Sequence, residues 1–323
     1  MTSAGSRKRR RFGAHLPAIH VPSFRPTSLH RYRTQWLTTI PDGPDKTFYT
    51  HGAHEVHLVE SWESPDAFPS TVGNKTRDVH AYSSAPSVEL LVNGKSVGTR
   101  PVVPMLQGAG SYAEFLAVPW EAGNLTAVAR DASGKPVAST SRTTNGKASA
   151  LTLTLDAPSK LTGTGDALFL DGSDVALLRA TVVDSAGHRV VLASTNISFR
   201  ILSGPGYFQG AHNGDPHNHH PNNAPWVVAW HGLARGFVRV TSTAGRPARE
   251  RELLRQIDTI GPMSIHALPE HGSAEPIVVE ASADGFAPVE LSIPTSTDPA
   301  AAVLAVAEAS AGKPVDFFAA DRT

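Results

Sequence analysis

Apolar and polar residues alternate along short segments of the chain, and turn residues separate these segments. The segment ALTLTLDAP, which starts at Ala150, alternates with a period of two, and SVELLVNGKSVGTR places Asn93 and Gly94 between two apolar runs. A period of two is typical of a β-strand with one buried face. An Asn-Gly pair between such runs is the strongest short-range signal for a hairpin turn. The pattern therefore predicts an all-β chain of short strands, with a tight turn at Asn93 and Gly94.

The strands fall into two sets, and strands of this length with turns between them are typical of β-sandwiches. We therefore expect two tandem immunoglobulin-like β-sandwich domains. The start of the chain is rich in Arg, Pro, Ser and His without apolar periodicity, so it is expected to be a disordered leader. The predicted boundaries are a leader at 1–30, a short helical stub within 31–53, a first sandwich at 54–147, a second at 148–297 with a charged insertion near 246–275, and a tail at 298–323.

Composition narrows the classes of function. Lys and Arg number 29, as do Asp and Glu, so the chain lacks the basic excess that is typical of a nucleic-acid binder. The chain has no cysteine, which excludes disulfides and zinc–thiolate sites. No apolar run approaches the ~20 residues that span a bilayer, so no membrane partner is expected. The basic run 7–11 precedes no apolar stretch, so no secretory signal is expected and the compartment stays open.

Several segments together resemble the C-terminal region of glycoside hydrolase family 2, the β-galactosidase-like enzymes. The segments 88–99 and 115–138 (VELLVNGKSVGT and FLAVPWEAGNLTAVARDASGKPVA) are similar to the first immunoglobulin-like domain after the catalytic barrel. The segments 171–190, 204–216 and 230–240, which include DSAGHRV, GPGYFQGAHNGDP and WHGLARGFVRV, resemble the second such domain. The stub YRTQW is similar to the last helix of the barrel.

The resemblance implies a parent enzyme that hydrolyses terminal β-glycosides. Enzymes of this family are retaining glycosidases that use two glutamates held about 5–5.5 Å apart on the barrel, and both glutamates precede the YRTQW-like helix. We therefore expect no catalytic residue and no cofactor in this chain. Glu55, Glu60 and Glu63 are interpreted as surface carboxylates. The expected partners are carbohydrate, through the parent enzyme, and the chain's own barrel domain. A free-standing carbohydrate-binding or adhesion module is the alternative.

Four tryptophans raise the question of a sugar platform, because aromatic rings stack on the apolar faces of sugars. Trp120 is expected to pack at a strand end, and Trp226 and Trp230 are expected to share a face that points to the core. Trp62 is kept as a substrate-binding candidate. An exposed Trp62, together with Tyr32 and Trp36, also predicts self-association, because exposed apolar patches drive it.

A histidine-rich loop offers two interpretations. His212, His217 and His219 lie near Asp215, and imidazole with carboxylate is a plausible ligand set for zinc or nickel. The loop is also rich in Pro and Asn, and Asn213, Gly214 and Asp215 are typical turn residues. Metal sites usually draw their ligands from rigid elements. The turn is therefore the favoured interpretation, and the histidines remain weak metal candidates.

Overall fold

The computed structural model describes residues 34, 54–103, 112–158, 166–241 and 274–297. The expected leader, the tail 298–323, most of the stub at 31–53 and nearly all of the charged insertion lie outside these residues. Within the stub, Thr34 is helical and buried. In the part of the chain that is described, no helix is long and apolar enough to cross a membrane.

Two sheets form the first sandwich around one hydrophobic core. The core contains Leu58, Trp62, Val79, Leu90 and Leu125. One sheet has the order β1-β2-β5, and the other has the order β4-β3-β6-β7. The strands are β1 (Val56–Leu58), β2 (Thr76–Ser83), β3 (Ser87–Val92), β4 (Lys95–Pro101), β5 (Tyr112–Pro119), β6 (Asn124–Arg130) and β7 (Pro136–Thr143), and a short 3-10 helix spans Pro65–Ala67.

A second sandwich follows with its own core, which contains Leu178, Ile197, Phe199, Val238 and Ile277. Its sheets have the orders β12-β14-β10-β8 and β13-β11-β15-β16. Two very short strands, β9 and β17, pair in parallel beside them. The strands are β8 (Ala148–Ala157), β9 (Leu168–Phe169), β10 (Val175–Asp184), β11 (Asn196–Ser203), β12 (Gly206–His212), β13 (Trp226–Val228), β14 (Leu233–Val240), β15 (Ile277–Ser282), β16 (Val289–Ile293) and β17 (Thr295–Ser296).

Alternation along the strands explains both cores. In β3, Val88, Leu90 and Val92 are buried, and the residues between them are partly exposed. Successive side chains of a strand point to opposite faces, so one face of β3 supplies the core. Each such side chain contributes about 1.5–3 kcal/mol when it is fully buried. The prediction of an all-β fold made of β-sandwiches is confirmed.

Asn93 and Gly94 form the turn between β3 and β4. Their φ angles are +50° and +79°, the left-handed conformation that a two-residue hairpin of this type requires. The Asn93 side chain also reaches the next turn, because its Oδ1 accepts the Asn124 N–H at 2.8 Å and its Nδ2 donates to Ala122 O at 3.0 Å. The turn therefore joins the hairpin to the start of β6.

Candidate functional site

The segment between β7 and β8, residues 144–147, is bonded to both sandwiches. Thr144 Oγ1 donates to Trp62 O at 2.7 Å, and Thr144 N donates to Gly123 O at 2.9 Å, both within the first sandwich. Two residues later, Gly146 N donates to Asp184 Oδ2 of the second sandwich at 2.6 Å. We call this segment, with the side chains around it, the joint. The bonds on both sides hold a linker that would otherwise be flexible.

Asn145 adds a second bond to the second sandwich. Its Oδ1 accepts the backbone N–H of Val191 at 3.2 Å, just after β10 has turned back at 185–187. Gly146 lies so close to Asp184 that a Cβ at this position would be 3.3 Å from Asp184 Oδ2. An added Cβ would require the Asp184 side chain to shift by a few tenths of an ångström, so glycine favours this close approach.

Asp184, at the end of β10, is the centre of the joint on the side of the second sandwich. Its Oδ1 accepts the N–H of Ala186 at 3.0 Å and of His188 at 2.8 Å, and its Oδ2 accepts Gly146 N. The Gly146 bond holds the pKa of Asp184 below its usual range; burial opposes this, and the bonds from His188 and Ala186 add to it. Asp184 is therefore an anion that both closes its own turn and holds the linker.

Glu63 is the corresponding carboxyl group of the first sandwich, and the expectation that it lies on the surface is wrong. Its side chain is only 4% exposed. Burial raises the pKa of Glu63, and the nearby Asp184 charge adds to this; a hydrogen bond from the Asn145 backbone and the charges of Arg77 and Arg189 oppose the shift. The contacts that bury Glu63 come from residues distant in sequence. Its Oε1 atom has no hydrogen-bond partner among the described residues.

Arginines from both sandwiches also meet at the joint. Arg142, at the end of β7, donates from Nη2 to Leu58 O at 3.1 Å, so it ties β7 to the first sheet. Burial lowers the pKa of Arg142, and the nearby positive charge of Arg189 lowers it further. Arg77 donates from Nη1 to Glu63 O at 2.8 Å. The joint thus combines two carboxyl groups and three guanidinium groups from both sandwiches in a partly buried, hydrogen-bonded arrangement.

Glu60 belongs to a different cluster, on the outer side of β2. His80 lies between Glu60 and Glu114: its Nδ1 is 2.8 Å from Glu60 Oε1, and its Nε2 is 3.3 Å from Glu114 Oε1. Burial acts to lower the pKa of His80, but the bonds and charges of both glutamates outweigh it, and the pKa is raised. The imidazole fills the space between the carboxylates. No room remains there for the sugar carbon that a retaining pair must hold.

Glu55 makes backbone contacts at the start of the first sandwich. Its N–H donates to Ser84 Oγ at 2.8 Å, and its carbonyl accepts Ser83 Oγ at 3.1 Å. Glu55 is half-buried, as is Glu60. The structure thus places the three glutamates that precede β2 in three different surroundings and brings no two of them together as an acid/base pair.

Trp62 is not exposed, and the expectation that it offers a stacking surface is wrong. Its side chain is 1% exposed within the first core, and its Nε1 donates to Glu121 O at 2.9 Å. A buried indole usually finds a partner for its N–H in this way. Because Trp62 is buried, it cannot contribute to the exposed apolar patch that was predicted to drive self-association. The other two residues of that prediction, Tyr32 and Trp36, lie outside the described residues.

The other tryptophans divide between core and surface. Trp120 is half-buried and packs against the first core. Trp226 and Trp230 share a face as expected, but the face is the outer one, because the alternating residues Val227 and Ala229 are buried. Trp226 is half-buried and Trp230 is exposed. The expectation that these two point to the core is therefore wrong.

The histidine-rich loop is held by its own turn bonds. Asn213 is buried; its Oδ1 accepts Asp215 N at 3.0 Å, and its Nδ2 donates to Val228 O at 2.9 Å. Gly214 has φ +82°. Asp215 Oδ1 accepts His217 N at 2.9 Å, while His219 is exposed. Among the described residues, no group of three or more His, Cys, Asp or Glu side chains is placed to hold a metal ion, His212 included.

Asp184, Arg189, Asn145 and Gly146 were not singled out from the sequence. The signal that could have found Asp184 is its place before the Ser-Ala-Gly turn, since Asp at such a position often accepts backbone N–H groups two residues on. Nothing in the local sequence indicates that Asn145 in the linker bonds Val191 in the second sandwich, because the two residues lie far apart along the chain.

Each sandwich matches a family of its own. Residues 74–138 match a family described as a domain of unknown function (DUF4982), and residues 159–247 match glycoside hydrolase family 2 C-terminal domain 5. A β-glucuronidase of Formosa agariphila is 33% identical over 207 residues, which is 62% of this chain and 19% of that protein. The β-galactosidase BoGH2A of Bacteroides ovatus is 31% identical over 135 residues, which is 42% of this chain and 14% of that protein.

The solved structures also match this chain over only part of their own length. A glycosyl hydrolase family 2 member from Bacteroides cellulosilyticus is 21% identical with a TM-score of 0.58, and the match covers 83% of this chain and 31% of that chain. A β-glucuronidase from glycoside hydrolase family 2 is 25% identical with a TM-score of 0.54, and the match covers 75% and 20%. The chain spans about a fifth or less of the curated relatives that it matches.

Proposed function

Because the chain belongs to the C-terminal β-sandwich region of glycoside hydrolase family 2, we propose that its two sandwiches act as non-catalytic supporting domains. The parent activity that this role serves is the hydrolysis of terminal β-glycosides, the class of reaction that the names of the curated relatives indicate. The partners in this proposal are the catalytic barrel and, through it, carbohydrate.

The joint is the observation that carries the proposal. A supporting element must keep a fixed shape, and a four-residue linker between two domains is flexible unless something holds it. Here Thr144 is bonded to the first sandwich, and Asn145 and Gly146 are bonded to the second. Glu63 and Asp184 add buried carboxyl groups from the two sides. Breaking such contacts is costly, because a buried charge or polar atom is left without compensation.

The carboxylates of the described residues support the non-catalytic part of the proposal. Retaining hydrolysis needs one protonated and one ionised carboxyl group about 5–5.5 Å apart with open space between them. The Glu60–His80–Glu114 cluster has an imidazole in that space. Glu63 has a raised pKa but is covered at the joint. Neither arrangement can receive a sugar ring.

The rigidity of the joint can be measured directly, because the chain has no native cysteine. Spin labels are attached to Ala132→Cys in the first sandwich and Ser292→Cys in the second, both at exposed positions. Double electron–electron resonance is expected to give one narrow distance distribution. A broad distribution, with the fold of both domains intact, would contradict a rigid supporting unit. Two labels within one sandwich, at Ala132→Cys and Lys95→Cys, give the width expected for a rigid body.

A further inference from the structure

Two partly exposed tryptophans lie at the edge strand β13: Trp226 begins the strand, and Trp230 follows its last residue by two. Trp226 and Val228 alternate with the buried Val227 and Ala229, and Trp230, 42% exposed, continues the outward series. Side chains two residues apart in extended chain share a face. At about 3.3 Å per residue, an extended chain places the Cα atoms of Trp226 and Trp230 at most roughly 13 Å apart. Two exposed aromatic side chains at such a spacing can contact two rings of one extended molecule.

The backbone holds Trp230 in a tight turn. Trp230 N donates to Leu233 O at 2.9 Å, and Leu233 N donates to Trp230 O at 3.0 Å. The two residues between them, His231 and Gly232, have φ +51° and +73°. A Cβ on Gly232 would be 2.3 Å from Val190 O, so the turn fits closely against the chain that follows β10. The backbone at Trp230 is therefore held in place, which reduces the freedom that binding would have to restrict.

Each indole is also supported by a histidine. The rings of Trp230 and His231 have centroids 4.6 Å apart at 68°, and those of His220 and Trp226 are 4.5 Å apart at 66°. Rings at so steep an angle meet edge to face. Each histidine therefore covers one face of an indole at most, and the other face is not blocked by it.

The sheet beside the tryptophans is polar and carries compensated charge. Ser198 lies between Trp226 on β13 and Ser282 on β15 in one row across three strands. Asn196 is opposite Val228, and both Asn196 and Ser198 are exposed. Further along, Arg200 Nη2 is 3.0 Å from Glu280 Oε1. Hydroxyl and amide groups that can both donate and accept hydrogen bonds thus lie directly beside the tryptophans.

From this arrangement we propose that the outer face of β13 and β11 binds a neutral polysaccharide chain, with Trp226 and Trp230 stacking on two of its sugar rings. Indoles meet the apolar C–H faces of pyranose rings, and the serine and asparagine side chains bond the hydroxyl groups at their rims. A protein partner would call for a dry apolar centre, which this face lacks. A nucleic acid would call for uncompensated basic residues, and Arg200 is paired. This binding surface does not depend on the supporting role proposed above.

Affinity electrophoresis of the full chain tests the proposal. Native gels contain β-1,4-galactan, β-1,4-mannan, arabinoxylan or the anionic polygalacturonate, and a gel without polymer is the blank. We expect retardation by at least one neutral polymer and weaker or no retardation by polygalacturonate. Trp226→Ala and Trp230→Ala are each expected to weaken binding about three- to tenfold, the effect of losing one aromatic contact. Trp230→Tyr is expected to keep most of the binding, because an aromatic ring remains.

Leu116→Ala is the matched control, since Leu116 is 64% exposed but lies on the first sandwich. It should leave the retardation unchanged, and thermal unfolding checks that every variant is folded. The proposal is overturned if none of the neutral polymers retards the chain, or if both tryptophan variants bind as well as the unaltered chain. It is also overturned if Trp230→Ala changes only self-association, measured by light scattering, because the face would then be a contact between protein chains.

Discussion

The backbone N–H of Gly146 donates to the Asp184 carboxylate at 2.6 Å, and this bond crosses from the linker to the second sandwich. The same carboxylate closes the turn after β10 through Ala186 and His188. One side chain thus sets both a local turn and the position of the linker. The turn after β10 in the second sandwich therefore helps to fix the linker that comes from the first sandwich.

Replacing Asp184 with Asn should loosen the joint. An amide has a single acceptor oxygen and no charge, so it cannot keep all three backbone bonds. We expect a broader inter-domain distance distribution in the spin-label experiment. Asp131→Asn is the matched control, because Asp131 Oδ1 accepts the N–H groups of Ser133 and Lys135 in a turn away from the joint. If the control broadens the distribution as much as Asp184→Asn, the joint has no special role.

Acid should remove the contribution of Asp184. Its folded-state pKa is lowered, first by the Gly146 bond. A group of this kind stabilises the fold above its unfolded pKa of about 3.9 and loses that effect as the pH falls through the folded pKa. The difference in free energy of unfolding between the unaltered chain and Asp184→Asn should therefore be full above about pH 4 and shrink at lower pH. Urea unfolding at several pH values measures this difference.

For Glu63→Gln, the difference in free energy of unfolding from the unaltered chain should change with pH in the opposite direction. Burial raises the folded-state pKa of Glu63, so the group favours folding below its unfolded pKa of about 4.3 and loses this effect as the pH rises through the folded pKa. Relative to the unaltered chain, Glu63→Gln should gain stability as the pH rises above about 4.3. The same urea series measures it. Parallel slopes for the two variants would contradict a raised pKa for Glu63 and a lowered pKa for Asp184.

Trp62→Ala should destabilise the first sandwich by about 3–5 kcal/mol, because a large buried side chain is removed. Trp62→Phe keeps much of the packing but leaves Glu121 O without the indole N–H. The lost hydrogen bond should lower the free energy of unfolding by about 1 kcal/mol beyond any packing change. Leu116→Ala, at an exposed position of the same sandwich, should stay within about 0.5 kcal/mol. Chemical denaturation checks all three. A value near zero for Trp62→Ala would mean that the indole is not part of the core.

Gly94→Val should destabilise the β3–β4 hairpin by about 1–3 kcal/mol. The site has φ +79° and nothing within 4 Å of an added Cβ, so the cost comes from backbone strain and not from a clash. Lys95→Val is the control at the neighbouring exposed strand position, where a β-branched residue is tolerated. Equal effects of the two variants in urea unfolding would contradict the turn.

Local patterns were enough to predict the strands and this turn. The alternation in Val88, Leu90 and Val92 depends only on neighbours along the chain, and so does the Asn-Gly signal. Alternation also indicated that Trp226 and Trp230 share a face, but it cannot show which face is buried when the residues between them are also apolar. That choice depends on the sheet opposite.

The prediction that Glu63 lies on the surface was wrong for a related reason. Three of the groups that shift its pKa, Asn145, Arg189 and Asp184, follow it by many residues and belong to the linker and the second sandwich. Pairing of this kind is set by the way two domains meet and leaves no periodic trace in the sequence. The joint could therefore be recognised only once the two sandwiches were placed together.

The most direct test of the non-catalytic role is the turnover of 4-nitrophenyl β-galactoside, β-glucuronide and β-mannoside by the purified 323-residue chain. We expect no hydrolysis above the buffer rate, because an imidazole lies between Glu60 and Glu114 and Glu63 is buried at the joint, so neither can act on a sugar as a retaining pair does. Hydrolysis that co-elutes with the chain through two different chromatographic steps would contradict the supporting role. Its persistence in Glu55→Gln, Glu60→Gln and Glu63→Gln would show that the catalytic groups lie elsewhere in the chain.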